Sequence, residues 1–191
     1  MATRLATNGP RCSQAVMRSS RETGRLYEFD GLALTPEPVN VGGDATRLLL
    51  PSGAALIGGS EIYVGSGTYR AAWRPTIRDC PASVTRGSTY AISGTQFNGL
   101  SQANAFGDEL EVATNFPLVR ITNDATHDTF YARTHDHSSM AAATGTTTVS
   151  TNFDVRANAQ TGASSLVVVA NGIPSEAVSI TIKWQPALPA K

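Results

Sequence analysis

The sequence has little of what metal cages, nucleic-acid grooves and membrane spans are built from. It carries only two cysteines, Cys12 and Cys80, which permit one disulfide and offer no metal-type spacing; a bridge and two free thiols both stay open. Charged residues make up 16% of the chain, and 15 Lys and Arg balance 15 Asp and Glu to a formal net charge of zero. No basic stripe alternates with aromatics to follow a phosphate backbone, so no nucleic-acid partner is expected. No apolar run approaches the roughly 20 residues that span a bilayer, and the opening MATRLATNGPRCSQ lacks the apolar stretch of a signal peptide. Neither a membrane span nor an export signal is therefore expected in this chain. Catalytic signatures are missing as well: there is no GxSxG elbow, HExxH helix, P-loop or GxGxxG following a strand. Acyl transfer, zinc proteolysis and nucleotide binding thus have no motif behind them.

What is present is turn chemistry. The 17 glycines and 10 prolines, with Ser and Thr throughout, belong to short strands joined by many turns, and helix formers are scarce. A chain of 191 residues buries one good core, or one core and an incomplete second unit. Residues 1–24 are polar and Arg-rich with neither a helical nor a strand period, and read as a disordered or irregular tail. Residues 25–74 hold four short apolar strands, at 25–30 (RLYEFD), 46–50 (TRLLL), 54–57 (AALI) and 61–64 (EIYV), separated by DG, PSG and GGS turns. This predicts a small antiparallel meander. The stretch LTPEPVNVGGD between the first two is predicted to be loop, because proline cannot donate to a ladder and glycine weakens one. GSGTYRAAWRPT reads as a linker in which Tyr69 and Trp73 pack on a neighbouring surface.

From residue 75 to 185 the pattern changes to strands with turns every 8 to 15 residues, the spacing of a β-sandwich. Strands are predicted at 76–79, 89–93, 118–122, 129–134, 148–155, 165–170 and 177–183, and 186–191 is a C-terminal tail. In TYAIS, Tyr90 and Ile92 share a face; in VSITIKW, Val178, Ile180 and Ile182 share one face while Ser179, Thr181 and Lys183 meet water. LVVVA at 166–170 is apolar on both faces, which suits a central strand, with NGIP turning the chain into the last strand. The stretch between Phe97 and Phe116 is too long for a hairpin loop and is expected to carry one helical turn or an irregular crossover, such as a Greek-key sandwich needs between its sheets. The fold class read from this pattern is all-β, a seven-stranded immunoglobulin-like sandwich preceded by the meander.

The run RPTIRDCPASVTRGSTYAISGTQFNGLSQANAFGDELEVATNFPLVRITN, continuing through THDTFYARTHDHSSM to LVVVANGIPSEAVSITI, resembles the C-terminal early-set immunoglobulin-like domain of bacterial secreted kelch-repeat proteins related to galactose oxidase. LYEFDG, RLLLPSGAALIGGSEIYV and GTYRAAW resemble the last β-propeller blade of those proteins. The phrases RGSTYAISGTQFNGLSQ and NGIPS are the more specific; the blade phrases are short and generic. This resemblance, over about residues 25–184, implies an extracellular location, a propeller domain as partner and assistance in recognising carbohydrate or another extracellular ligand. A propeller of this family has several blades and this chain has room for one, so the resemblance also implies a terminal piece of a larger protein.

The best candidate site is the run Thr134, His135, Asp136, His137, Ser138. Positions i and i+2 of a strand point the same way, so His135 and His137 could offer two imidazoles to one metal. Equally, they could be edge residues that hydrogen-bond neighbouring loops. If Asn123 to Thr126 closes a hairpin, His127 lies about 26 Å from His135 at about 3.3 Å per residue, too far to be a third ligand. In the oxidases of the resembling family, a histidine of a Thr-His stretch in this domain completes a copper site. Thr134 with His135, and Thr126 with His127, both match that dipeptide. The remaining ligands belong to the propeller, so no oxidase site can be assembled here, no cofactor is expected, and copper enters only if this chain is the end of a copper-radical oxidase. The acidic cluster Asp108, Glu109 and Glu111 is read as solvated loop, against calcium ligands or a paired-carboxylate glycosidase, with Asp124 and Asp128 joining a calcium site only where the fold brings them near. The aromatics Tyr63, Tyr69, Trp73, Phe106, Tyr131 and Trp184 are scattered, and read mainly as packing. The chain is accordingly expected to be a non-catalytic module.

Overall fold

A computed structural model describes residues 18–19, 25–29, 34–40, 47–64, 70–100, 116–141 and 143–184. Their regular structure is β throughout, apart from a 3-10 turn at Ala71–Trp73. In the N-terminal part, β1 (Arg18–Ser19), β2 (Arg25–Phe29) and β3 (Leu34–Asn40) form one antiparallel sheet, and β4 (Arg47–Leu49), β5 (Ala55–Ile57) and β6 (Glu61–Tyr63) form another. The expected single four-stranded meander is thereby corrected: 25–29 pairs with 34–40 and not with 47–49. LTPEPVN, predicted as loop, is a strand. It lies at a sheet edge beside a register shift between Arg25 and Tyr27, which is where a ladder tolerates proline. The tail also contributes a strand, since Arg18 and Ser19 pair with Tyr27 and Leu26; the rest of residues 1–24 lies outside the described residues. The PSG turn is closed by Gly53 N–H donating to Leu50 O at 2.9 Å and Leu50 N–H to Ala54 O at 2.7 Å. Gly53 at φ 84° supplies the left-handed residue that this turn needs.

The second part contains β7 (Thr76–Asp79), β8 (Ser83–Thr85), β9 (Thr89–Thr95), β10 (Leu118–Asn123), β11 (Thr129–Ala132), β12 (Thr134–His135), β13 (Val149–Asp154), β14 (Gly162–Ala170), β15 (Ile173–Pro174) and β16 (Val178–Lys183). One sheet has the order β12-β13-β9-β7, and the other β11-β10-β14-β16-β8 with β15 paired to β14. All of these ladders are antiparallel except β8 with β16, which is parallel. The chain leaves the first sheet after β7, and β8 joins the second. This arrangement, with inward residues of both sheets meeting in one core, is an immunoglobulin-like sandwich.

The core confirms the alternation. Ile92, Val149 and Phe153 of one sheet meet Val84, Val119, Ile121, Leu166, Val168, Ile180 and Ile182 of the other in one buried cluster, joined by Phe97. Along β13 the odd positions are buried and the even ones half-buried. β16 buries Ile180 and Ile182 and exposes Ser179, Thr181 and Lys183, as predicted. β14, between β10 and β16, is buried on both faces from Leu166 to Ala170. Tyr90 packs against Phe153 with ring centroids 6.1 Å apart, and its hydroxyl accepts the Thr85 N–H at 2.8 Å. Each large apolar side chain buried this way contributes about 1.5–3 kcal/mol. The two parts touch at Gly172, where an added Cβ would run into the backbone of Gly53.

Three elements of the sandwich differ from expectation. β8 and β15 were not predicted, being three and two residues long, too short to display a period. The predicted strand 129–134 is two strands in different sheets, since β11 pairs with β10 and β12 with β13. The exposed Arg133 stands at the crossing.

Candidate functional site

The crossing at Arg133 positions the candidate histidines. Asp154 N–H donates to Arg133 O at 3.0 Å, and the Thr134 hydroxyl donates to Pro117 O at 2.5 Å, which fixes the start of β12. His135 then stands opposite Asn152 on β13. Asp136 adopts φ 53°, in the left-handed region, and this ends the strand. The chain regains β13 two residues later, where Ser138 N–H donates to Ser150 O at 2.9 Å and Ser150 N–H to the Ser138 hydroxyl oxygen at 2.8 Å.

That kink decides where the imidazoles go. His135 lies on the outer side of β13: its Nε2 is 3.1 Å from Asp154 Oδ1 and its Nδ1 is 2.8 Å from Asp136 Oδ2. Asn152 Nδ2 donates to Asp136 at 3.1 Å, and the Thr89 hydroxyl donates to Asp154 at 2.6 Å. His137 turns to the inner side, where its Nδ1 is 2.9 Å from the hydroxyl of Thr151, a residue only 1% exposed. The expectation that His135 and His137 share one face holds for an unbroken strand; the left-handed Asp136 breaks the alternation and sends the two rings to opposite faces of β13. They are not brought to a common point. Among the described residues no three His, Cys, Asp or Glu side chains are placed to hold a metal ion.

The electrostatics follow from these contacts. The Asp154 hydrogen bond, then that of Asp136, raises the pKa of His135 above the ordinary imidazole value. Asp154 is held below the usual carboxylate range first by the Thr89 hydroxyl and then by His135, and Asp136 first by His135 and then by Asn152. Two carboxylates facing both ring nitrogens is an arrangement complete only with the imidazolium, which donates from each nitrogen. A base that must hold its proton to keep its contacts is poorly suited to taking one from a substrate.

The other candidates are equally occupied or lie elsewhere. His127 is exposed at φ 59° in the turn between β10 and β11. Asn123 builds that turn, its Oδ1 accepting from Ala125 N–H, Thr126 N–H and the Thr126 hydroxyl at 3.0–3.1 Å. Asp124 accepts from the Ser165 hydroxyl at 2.8 Å, and Asp128 pairs with Arg156, whose guanidinium lies 4.4 Å from the Phe130 ring centroid. Burial, and then Asp79, push the free Cys80 thiol up to about 11, which leaves it a poor nucleophile at neutral pH. Asp108, Glu109, Glu111, Phe106, Tyr69 and Cys12 lie outside the described residues. Of the aromatics, Trp73 packs under the Arg70 guanidinium at 5.6 Å, while Tyr131 and Trp184 are exposed.

Asp154, Thr89 and Asn152 were not picked out from the sequence as partners of the histidines. The signal was the alternation in TNFD, which places Asn152 and Asp154 on the outer face, but the register of β12 against β13 was needed to join them.

Among the described residues no helix is long and apolar enough to cross a membrane. No protein-family model matches the chain, and no curated protein matches it. Among solved structures, a crystal structure of the filamin domain of Lin-41 is similar, with 10% sequence identity over 57% of this chain and 91% of that one, at a TM-score of 0.31.

Proposed function

We propose that this chain is a non-catalytic structural and interaction module of a secreted protein of the kelch-repeat, galactose oxidase-like kind, packing against a propeller domain and assisting recognition of carbohydrate or another extracellular ligand. The observation that carries the non-catalytic part is the fate of the polar side chains. Among the described residues, every sequence-predicted candidate acid or base of the sandwich is engaged by a neighbour of the same sandwich, except the exposed turn residue His127. The interaction part is supported by the β4-β5-β6 sheet, whose outer strands pair with no further strand among the described residues, with Ile62 on β6 and Val64 just after it 66% and 54% exposed. Apolar side chains on an open edge suit a neighbouring β-domain.

The alternative, a terminal piece of a copper-radical oxidase completed by a sandwich histidine, asks for a His135 nitrogen directed out of the domain. Both His135 nitrogens meet carboxylates instead, which favours the first reading. Calorimetric titration with Cu(II) of the wild type and of His135→Gln tests the choice. The module reading predicts no binding in the micromolar range that depends on His135. Stoichiometric binding lost in the variant would move the reading to the oxidase.

A further inference from the structure

Trp184 is 67% exposed at the end of β16, an unusual place to leave an indole without a reason. Above its ring, 4.8 Å from the centroid, lies the guanidinium of Arg86. Among the described residues no carboxylate pairs with Arg86, and its buried Nε has no hydrogen-bond partner. A guanidinium with free N–H donors is built to take a planar anion in a two-pronged contact, and an exposed indole offers a flat apolar face beside it. The exposed Lys183 immediately precedes the indole and adds a second positive charge.

This pair is held by the backbone, not by its own contact. Thr85 stands in register with Lys183 in the parallel ladder of β8 and β16, so Arg86 and Trp184 emerge side by side. Arg86 N–H donates to Lys183 O at 3.2 Å, Gly87 N–H to Val155 O at 2.8 Å, and Thr85 N–H to the Tyr90 hydroxyl at 2.8 Å. A platform fixed in this way loses little freedom on binding.

From this juxtaposition we infer that Arg86 and Trp184 form a binding platform for a carboxylate-bearing saccharide, a chain of uronate units. One sugar ring lays its C–H face on the free side of the indole. A carboxylate of the same or the next ring takes the guanidinium edge, with Lys183 adding long-range attraction. A saccharide fits better than an acidic peptide because it joins a rigid, flat apolar face and a carboxylate in each unit. The inference rests on the ligand-recognition part of the function proposed above and gives it a place and a chemical class.

The test is calorimetric titration of the intact chain with an oligogalacturonate, a neutral cello-oligosaccharide of equal length and a polyglutamate. Saturable binding of the oligogalacturonate is expected, weaker at high salt, with no comparable binding of the neutral oligomer. Trp184→Ala should abolish it. Arg86→Gln should weaken it by about tenfold or more, the loss of one charge-assisted pair, with Arg86→Lys in between. Trp184 is exposed and Arg86 half-buried, so thermal unfolding of each variant is measured alongside, and an unchanged midpoint separates lost binding from lost fold. Binding that survives both substitutions overturns the platform and leaves ligand recognition standing. Absence of any saccharide binding overturns the platform and the saccharide reading together. Polyglutamate bound as tightly as the uronate chain overturns the ligand class in favour of an acidic protein partner.

Discussion

Replacing Asn98 by aspartate tests how the histidine-bearing segment is held. Asn98 is 2% exposed and its side-chain amide donates to Ser139 O at 2.6 Å and Ala141 O at 3.1 Å, with Ala143 N–H donating to Gly99 O at 2.9 Å alongside. These bonds tie the segment following His137 to the turn after β9. Asn98→Asp keeps the shape and turns the donor into an acceptor that faces two carbonyls. Two net hydrogen bonds at about 1 kcal/mol each are lost, and the unsatisfied carboxylate left at this buried position adds about another 1–3 kcal/mol. The sum, about 3–5 kcal/mol, is a large part of the roughly 5–15 kcal/mol that holds a domain together. Urea denaturation followed by circular dichroism at neutral pH measures it. Because a protonated aspartate regains one donor, the deficit should shrink as pH falls toward 4, a common carboxyl range. A variant within about 0.5 kcal/mol of the wild type at neutral pH, the size of an ordinary surface substitution, would refute the reasoning.

Four further outcomes follow from the same contacts. His135 has a folded pKa above the ordinary imidazole value of 6.5, so its contribution to stability is full below that value and is lost as pH rises through the raised one. Asp136 and Asp154, both depressed, contribute above their ordinary value of 3.8 and lose that contribution as pH falls; the stability difference between wild type and His135→Gln should therefore peak in mildly acid solution and fade by mildly alkaline pH. Phe153→Ala, at a fully buried ring in the sandwich core, should cost about 3–5 kcal/mol in chemical denaturation. Gly172→Val places a branched side chain at φ 78° and against the Gly53 backbone; it should destabilise by about 2 kcal/mol or more and speed proteolysis within residues 47–64. The open β6 edge should give concentration-dependent self-association in sedimentation, and Ile62→Lys together with Val64→Lys, at exposed positions on and just after that edge, should reduce it while leaving thermal unfolding nearly unchanged.

The sandwich was legible in the sequence because its strands bury one face each. Ile180 and Ile182 alternate with Ser179, Thr181 and Lys183, and a period of two survives any detail of pairing. The continuous run at 166–170 marked a central strand for the same reason. What the sequence withheld is governed by register and by single backbone residues. Nothing in LTPEPVN announces an edge strand, because its tolerance of Pro36 and Pro38 depends on which strand lies beside it. The left-handed turn at Asp136 is invisible to a two-residue period, and it alone separates His135 from His137. Arg86 and Trp184 stand 98 positions apart in the chain and meet only because β8 runs parallel to β16.

His135 is spent inside the sandwich on Asp136 and Asp154, and nitrogen NMR of its imidazole in the intact chain measures that directly. In mildly acid solution both ring nitrogens should carry protons slowed in exchange by Asp136 and Asp154, with a titration midpoint above 6.5, the ordinary imidazole value, that falls when Asp154 is replaced by Asn. A ring that titrates at the ordinary value, exchanges both protons freely and is unmoved by the Asp154 substitution would contradict it.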